Sequence, residues 1–253
     1  MKQTLFALNE IGKRKNNEDS IYPPKGTATE QQQFFLVCDG MGGHENGDVA
    51  SRTVCESFAF TLKNIAPESF NEKRFQETLT IAYDALDEED NHRGGKAEMG
   101  TTLTFLYLNN QQAFMAHIGD SRIYHLRKTE NGKVEILHKT SDHSLVSELL
   151  QGGIITEEEA KKHPKKNVIT RAMQPNQFEK KRDKADIHIT QDVMLGDYFF
   201  LCTDGILESI DDEQLCNIIA ENTDNATKMK TIQHLCEAYS RDNFSAYLIS
   251  LIK

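Results

Sequence analysis

Phe34-Phe35-Leu36-Val37-Cys38-Asp39-Gly40 is a run of five apolar residues that stops on an aspartate with a glycine beside it. The same arrangement occurs twice more. Ala113-Phe114-Met115-Ala116-His117-Ile118 ends on Gly119-Asp120, and Tyr198-Phe199-Phe200-Leu201-Cys202-Thr203 ends on Asp204-Gly205. Runs this short and this apolar predict strands covered on both faces. An isolated carboxylate is costly beside such a core. Three of them at strand ends therefore predict a cluster neutralised by something positive, and a hard divalent cation held by oxygen ligands is the simplest candidate. The glycines let a carbonyl or a phosphate approach with no side chain in the way.

Outward from these runs, Thr4 to Ile11, Thr101 to Leu108, Ser121 to Arg127, Val134 to His138 and Phe244 to Ile252 also read as strands. Ala50, Val54, Phe58, Leu62 and Ile65 line one face of a helix over Asn46 to Ile65. Phe75, Leu79, Ala82 and Leu86 place a second helix, whose acidic end Asp87-Glu88-Glu89-Asp90 is expected to fray into solvent. Two further helices are expected over Asp211 to Asn222 and Thr227 to Ser240. Strands in clusters with helices in pairs between them indicate an α+β layered fold. With no internal repeat or low-complexity linker, a single domain over residues 1–253 is expected.

The segment 141–186 differs in composition. Thr156-Glu157-Glu158-Glu159 has the pattern of a capping box. Lys161 to Lys184 holds nine Lys or Arg against two acidic residues, in a chain whose net charge is −10. Either a flap laid over the core near the active site or a solvated basic loop suits it.

That net charge and a pI near 5.4 argue against a nucleic-acid surface. The amino terminus lacks the apolar core of a signal peptide. The uncharged stretch from Met99 to Gly119 is interrupted by Asn109-Asn110-Gln111-Gln112, so it reads as two strands and a turn rather than a membrane span. Five cysteines (Cys38, Cys55, Cys202, Cys216, Cys236) form no close-spaced metal pair and are expected as free thiols in a cytoplasmic protein.

Two more acidic positions flank predicted strands: Glu18-Asp19 follows the first, and Asp242-Asn243 precedes the last. The resulting set is all oxygen, which favours Mg²⁺ or Mn²⁺ over zinc.

Arg14 through Asp19, Asp39-Gly40-Met41-Gly42-Gly43-His44 with Gly47 and Ala50-Ser51, and Gly100-Thr101-Thr102 resemble the opening motifs of the metal-dependent, type 2C protein serine/threonine phosphatases of bacterial type. Gly119-Asp120-Ser121-Arg122, Asp142-His143-Ser144, Ile169-Thr170-Arg171-Ala172, Thr203-Asp204-Gly205 and Asp242-Asn243 continue that series in order, so the resemblance covers nearly the whole chain. It implies two packed antiparallel sheets with helices on both outer faces, a four-layer α-β-β-α sandwich. It further implies that Asp39 bridges two ions, with Asp204 and Asp242 completing one site and Glu18 and the Gly40 carbonyl the other. Asp19 then orients water, Asp120 supports a third, weaker ion with Asp204, and Arg14 receives the substrate phosphate.

Two cations about 3.5–4 Å apart lower the pKa of a water between them, so that hydroxide attacks phosphorus without a side-chain nucleophile. The leaving alkoxide needs a proton. Met41 stands where many relatives have a histidine, which leaves His44 and metal-bound water as candidate donors. Met173-Gln174 also departs from the family pattern, at a place expected to affect loop geometry alone. His117 is expected to be a core histidine, with Asp142 and His143 organising the base of the flap. The expected partners are phosphorylated proteins, products of a serine/threonine kinase, and the chain is expected to act as a monomer. A catalytically silent relative and a two-metal nuclease are the competing readings.

Overall fold

The computed structural model describes residues 2–42, 46–95, 99–109, 112–175 and 182–252. Strand β1 (Lys2–Glu10) leads through an exposed loop into β2 (Asp19–Tyr22) and β3 (Phe34–Gly42). Helices α1 (Gly47–Leu62) and α2 (Glu72–His92) follow. Strands β4 (Met99–Thr101), β5 (Leu103–Leu108), β6 (Ala113–Ile118), β7 (Arg122–Lys128) and β8 (Val134–Lys139) come next, then the short helices α3 (Leu145–Gln151) and α4 (Glu157–Lys162). The chain closes with β9 (Asp186–Thr190), β10 (Asp197–Cys202), α5 (Asp204–Leu207), α6 (Asp212–Ala220), α7 (Asn225–Tyr239) and β11 (Phe244–Ile252).

The strands form two antiparallel sheets, one ordered β1-β11-β10-β7-β8 and the other β2-β3-β5-β6-β9, with β4 pairing on the end of β3. Alternation along the strands sorts the core into three layers. Phe34, Leu36 and Cys38 of β3 join Phe105 of β5 against Val54 and Phe58 of α1 and Phe75 of α2. Phe35 and Val37 point the other way and meet Phe199, Leu201, Tyr247 and Ile249 between the sheets. Phe200, Leu248 and Ala246 pack outward on Ile218 and Ile219 of α6 and Ile232 of α7. Both faces of each sheet are thus covered, which is why the strands read as unbroken apolar runs. The architecture is the expected α+β sandwich of four layers.

Three details differ from the sequence reading. The acidic end of α2 does not fray: the helix runs to His92, Asp90 is buried, and Asp87 receives Arg182 Nη2 at 2.6 Å. The strand expected over Thr101 to Leu108 is two strands, because Thr102 leaves the ladder to bond Asp39. Strands β2 and β9, which the sequence reading left unassigned, extend the second sheet at both edges.

In the segment 141–186, Thr156 and Glu159 close the expected capping box on α4. Its two ends are stitched by bridges from Ser144 to Ile169 and from Thr101 to Met173. Lys162, Lys165 and Lys166 are exposed, whereas Arg171 pairs with Asp186 and Arg182 with Asp84 and Asp87. All five cysteines are free. No described helix is long and apolar enough to cross a membrane.

Candidate metal centre

Antiparallel pairing brings the carboxyl end of β3, β6 and β10 to the same end of the sandwich as the amino end of β2, β7 and β11. Asp19 lies directly across the ladder from Asp39. Asp204 opens α5 just beyond β10, Asp242 lies two residues before β11, and Asp120 occupies the turn between β6 and β7.

The backbone of Asp39 is caged by hydroxyls. Its N–H donates to Thr102 Oγ1 at 2.9 Å, and its carbonyl accepts from Thr101 Oγ1 at 2.9 Å and the Thr102 N–H at 2.9 Å. Thr102 Oγ1 lies 2.7 Å from Ser121 Oγ. The sequence reading placed Thr101, Thr102 and Ser121 in motifs without a role; here they fix the aspartate that the whole cluster surrounds. Two glycines make the approach possible. A Cβ on Gly40 would lie 2.1 Å from the Gly47 carbonyl oxygen, and one on Gly205 would lie 1.9 Å from that of Asn243. Any side chain at Gly40 would push the end of β3 from the start of α1, and one at Gly205 would push α5 from the residue that leads into β11.

The acids crowd one another. Asp39, Asp204, Asp19, Asp120 and Asp242 lie near enough that each disfavours the ionised form of its neighbours. Burial, then the neighbouring Asp19, Asp204 and Asp120, lift Asp39 well above the usual carboxylate range. Asp204 is pushed up to about 6 by burial and by Asp242. Asp120 rises to about 7 through burial and Asp204. Asp19 also rises to about 7 through burial and its acidic neighbours, against hydrogen bonds from Ser245 and Thr203, whose Oγ1 donates at 3.0 Å. Glu18 is raised by burial against the pull of Arg14. Arg14, on the exposed loop, donates from Nη2 to Asp242 Oδ2 at 2.5 Å and holds its own proton more tightly for it.

These residues fit hard cations. Asp120 Oδ1, Asp204 Oδ1 and Asp48 Oδ1 are buried with no hydrogen-bond donor, an expensive arrangement unless something positive faces them. The Gly40 peptide is positioned by its N–H, which donates to the Glu18 carbonyl at 3.1 Å. The donors are carboxylate and carbonyl oxygens, as Mn²⁺ and Mg²⁺ prefer. Asp48, in the first turn of α1, was not among the expected ligands. His44 lies outside the described residues.

A second cluster has a different character. His117, His143 and Asp186 present ligand-type atoms within 4.8 Å of one another, closer than any other such group among the described residues. His143 Nδ1 accepts the Gly119 N–H at 3.1 Å, so its proton sits on Nε2, which meets Asp186 Oδ2 at 3.0 Å. His117 Nε2 lies 2.8 Å from the Ser141 carbonyl oxygen and so donates to it, and the two rings stack at 4.4 Å. The lone pair that an ion would need on His143 Nδ1 or Nε2 is already committed. These residues form a strut beneath the 141–186 segment, joined there by Arg122, which grips Asp142 with Nε at 2.6 Å and Nη2 at 2.7 Å. His117 is the buried core histidine expected of it.

Comparison with known proteins agrees with this geometry. A family model described as protein phosphatase 2C matches residues 9–242. Protein phosphatase PhpP of Streptococcus pneumoniae is 34% identical over 256 residues, covering 98% of this chain and 97% of that protein. The serine/threonine protein phosphatase PstP of Mycobacterium tuberculosis is 31% identical over 202 residues, 80% of this chain and 36% of its own. The crystal structure of the Mycobacterium tuberculosis serine/threonine phosphatase PstP/Ppp aligns over 100% of both chains with a TM-score of 0.85 at 27% identity. The catalytic domain of PstP in complex with two manganese ions aligns over 100% of this chain and 99% of its own, with a TM-score of 0.82 at 25% identity. A sequence match over most of its length, and a sandwich whose acids meet at one end, place this chain in the protein phosphatase 2C family.

Proposed function

We infer that this chain is a metal-dependent protein serine/threonine phosphatase, hydrolysing phosphoserine and phosphothreonine in proteins. The observation that carries the reading is the gathering of Asp39, Asp204, Asp242 and Asp120 at one end of the two sheets, where Oδ1 of Asp204 and of Asp120 is buried with no donor. Asp39, Asp204 and Asp242 would hold one Mn²⁺ or Mg²⁺ ion. Asp39, Glu18 and the Gly40 carbonyl would hold a second, and Asp120 with Asp204 a third, weaker one. When bound, such ions supply a water acidic enough to act as nucleophile near neutral pH and neutralise charge on the phosphoryl oxygens.

The chain's own groups do the rest. Arg14 stays charged and stands at the mouth of the cluster beside Asp242, with a planar guanidinium suited to two phosphate oxygens at once. Asp19, clamped between Thr203 and Ser245, has the buried position and elevated pKa of a group that holds a proton for a nearby water. Charge developing on the equatorial oxygens meets Arg14 in an arrangement fixed before substrate arrives. His44 remains a candidate donor to the leaving alkoxide.

The residues 1–253 are proposed to act as one cytoplasmic, monomeric phosphatase domain. Its segment 141–186 serves as a flap, and its substrates are the products of a serine/threonine kinase. The test is phosphate release from phosphothreonine, phosphoserine and phosphotyrosine peptides, with added Mn²⁺ or with chelator. Metal-dependent release from the first two is expected, and metal-independent release from all three would overturn the reading.

A further inference from the structure

The loop Ile11–Glu18 joins β1 to β2 and carries both Arg14 and Glu18, yet residues 11–16 are exposed and belong to no sheet. Something must hold the guanidinium in register with the carboxylates. Asn243, 4% exposed, sits directly after Asp242 and immediately before β11. Its Nδ2 donates to the Ile11 carbonyl at 2.8 Å and to the Asn16 carbonyl at 2.9 Å. Its Oδ1 accepts the Glu18 N–H at 2.9 Å. One amide therefore touches the loop at its first residue, at Asn16 and at its last.

The orientation of that amide is fixed by its partners, since turning it over would face an oxygen to two carbonyls and an NH₂ to an N–H. Two donors and an acceptor on so short a stem are what asparagine alone provides. Aspartate keeps the acceptor and loses both donors, alanine loses all three, and glutamine is a methylene too long. The Ile11 carbonyl also accepts the Arg14 N–H at 3.3 Å, so Asn243 acts one bond away from the arginine backbone.

We propose that Asn243 is the positioning residue that sets Arg14, and with it the phosphate, against the metal centre. It makes the strand that delivers Asp242 also the template for the phosphate-receiving loop. This rests on the phosphatase reading and adds a residue to it. The two ends of the loop are not equally dependent on Asn243. Near Glu18 the chain is tied a second time, because Asn17 Oδ1 accepts the Asp19 N–H at 3.1 Å and Asn17 Nδ2 donates to Asn9 Oδ1 at 3.0 Å. Towards Arg14, besides its own N–H bond to Ile11, the other ties are single side-chain bonds: Lys13 Nζ to the Ala238 carbonyl at 3.0 Å, and Arg14 to Asp242 itself.

The experiment compares wild type, Asn243→Ala and Asn243→Asp in three measurements: kinetics on a phosphothreonine peptide at saturating Mn²⁺, calorimetric Mn²⁺ binding, and thermal unfolding. Loss of the two carbonyl bonds is expected to raise KM by ~10-fold or more in both variants, with kcat within ~3-fold of wild type. Mn²⁺ affinity is expected to weaken in Asn243→Ala, and to hold or strengthen in Asn243→Asp, which retains the Glu18 bond and adds a carboxylate. A purely structural role would lower the melting temperature and leave KM alone. KM unchanged in both variants overturns the proposal. If Asn243→Ala does not fold, KM of the isosteric Asn243→Asp decides the matter by itself. A wild type without Mn²⁺-dependent hydrolysis would instead defeat the phosphatase reading itself.

Discussion

Two clusters of ligand-type side chains lie near the same end of this sandwich, and they differ in how far their hydrogen-bonding needs are met. Around Asp39 the acids repel one another and leave Oδ1 of Asp120 and Asp204 buried without donors. Around His143 every polar atom that matters is answered. Gly119 gives Nδ1 its proton donor, and Asp186 takes the proton of Nε2. Arg171 Nη1 takes the other Asp186 oxygen at 2.8 Å. Burial would raise Asp186, but the bonds from His143 and Arg171 outweigh it and hold its pKa below the ordinary value. Proximity of histidine and aspartate is therefore a poorer sign of a metal than unmet hydrogen-bonding need. The looser group is the one proposed to hold metal, since a pair of cations spread over several carboxylates does not require all of them within one short radius.

The comparison breaks first under deletion of an acid from each cluster. Asp39→Ala and Asp204→Ala should each cost on the order of 10³-fold or more in kcat/KM on a phosphothreonine peptide, as expected when preorganised electrostatic groups are removed. Asp186→Ala should leave kcat within a few-fold.

The next effect is on stability. Mn²⁺ at about 100 times its dissociation constant should stabilise the protein by ~2.7 kcal/mol, raising the melting temperature by roughly 5–10 °C. Asp204→Ala should lose most of that increment and Asp186→Ala none of it.

The pH dependence should differ in sign between metal-free and metal-loaded protein. Asp204 at about 6, and Asp19 and Asp120 at about 7, bind protons more tightly folded than unfolded. Their contribution is fully present below pH ~4, their unfolded range, and is lost as pH rises through 6 to 7. Metal-free protein should thus melt at a higher temperature near pH 5.5 than near pH 8. Saturating Mn²⁺, which competes with those protons, should reverse the order. Melting curves at both pH values with and without chelator decide it.

The smallest effect is the strut itself. Asp186 is half exposed, so its loss to alanine should cost about 1 kcal/mol, seen as a melting temperature lower by a few degrees.

How far the sequence carried depends on how local each signal was. Asp39, Asp120 and Asp204 were legible because each ends an apolar run and adjoins a glycine, and the structure shows what Gly40 and Gly205 make room for. Glu18 and Asp19 were read only as acidic positions after the first strand, and their roles, like that of Arg14, came from the family resemblance, because an exposed loop and the four-residue strand Asp19–Tyr22 carry too few apolar residues to announce themselves. The end of α2 was misread for a similar reason. Four consecutive acids look solvated, and nothing nearby says that Arg182, 95 residues beyond Asp87, will close on it. Asn243 was quoted as half of a motif, but its three partners are more than 220 residues away, and only the folded chain brings them together. Strand β9 mixes Asp186 and His188 with two isoleucines and pairs only with β6, so its edge position hid it.

The most direct test of the central claim is an anomalous difference map from a crystal soaked in Mn²⁺, collected at the manganese edge. Two strong peaks should appear beside Asp39, one within ligand reach of Asp204 and Asp242 and the other of Glu18 and the Gly40 carbonyl, with none at His117 and His143. A peak on the histidines with the acid cluster bare would contradict the account.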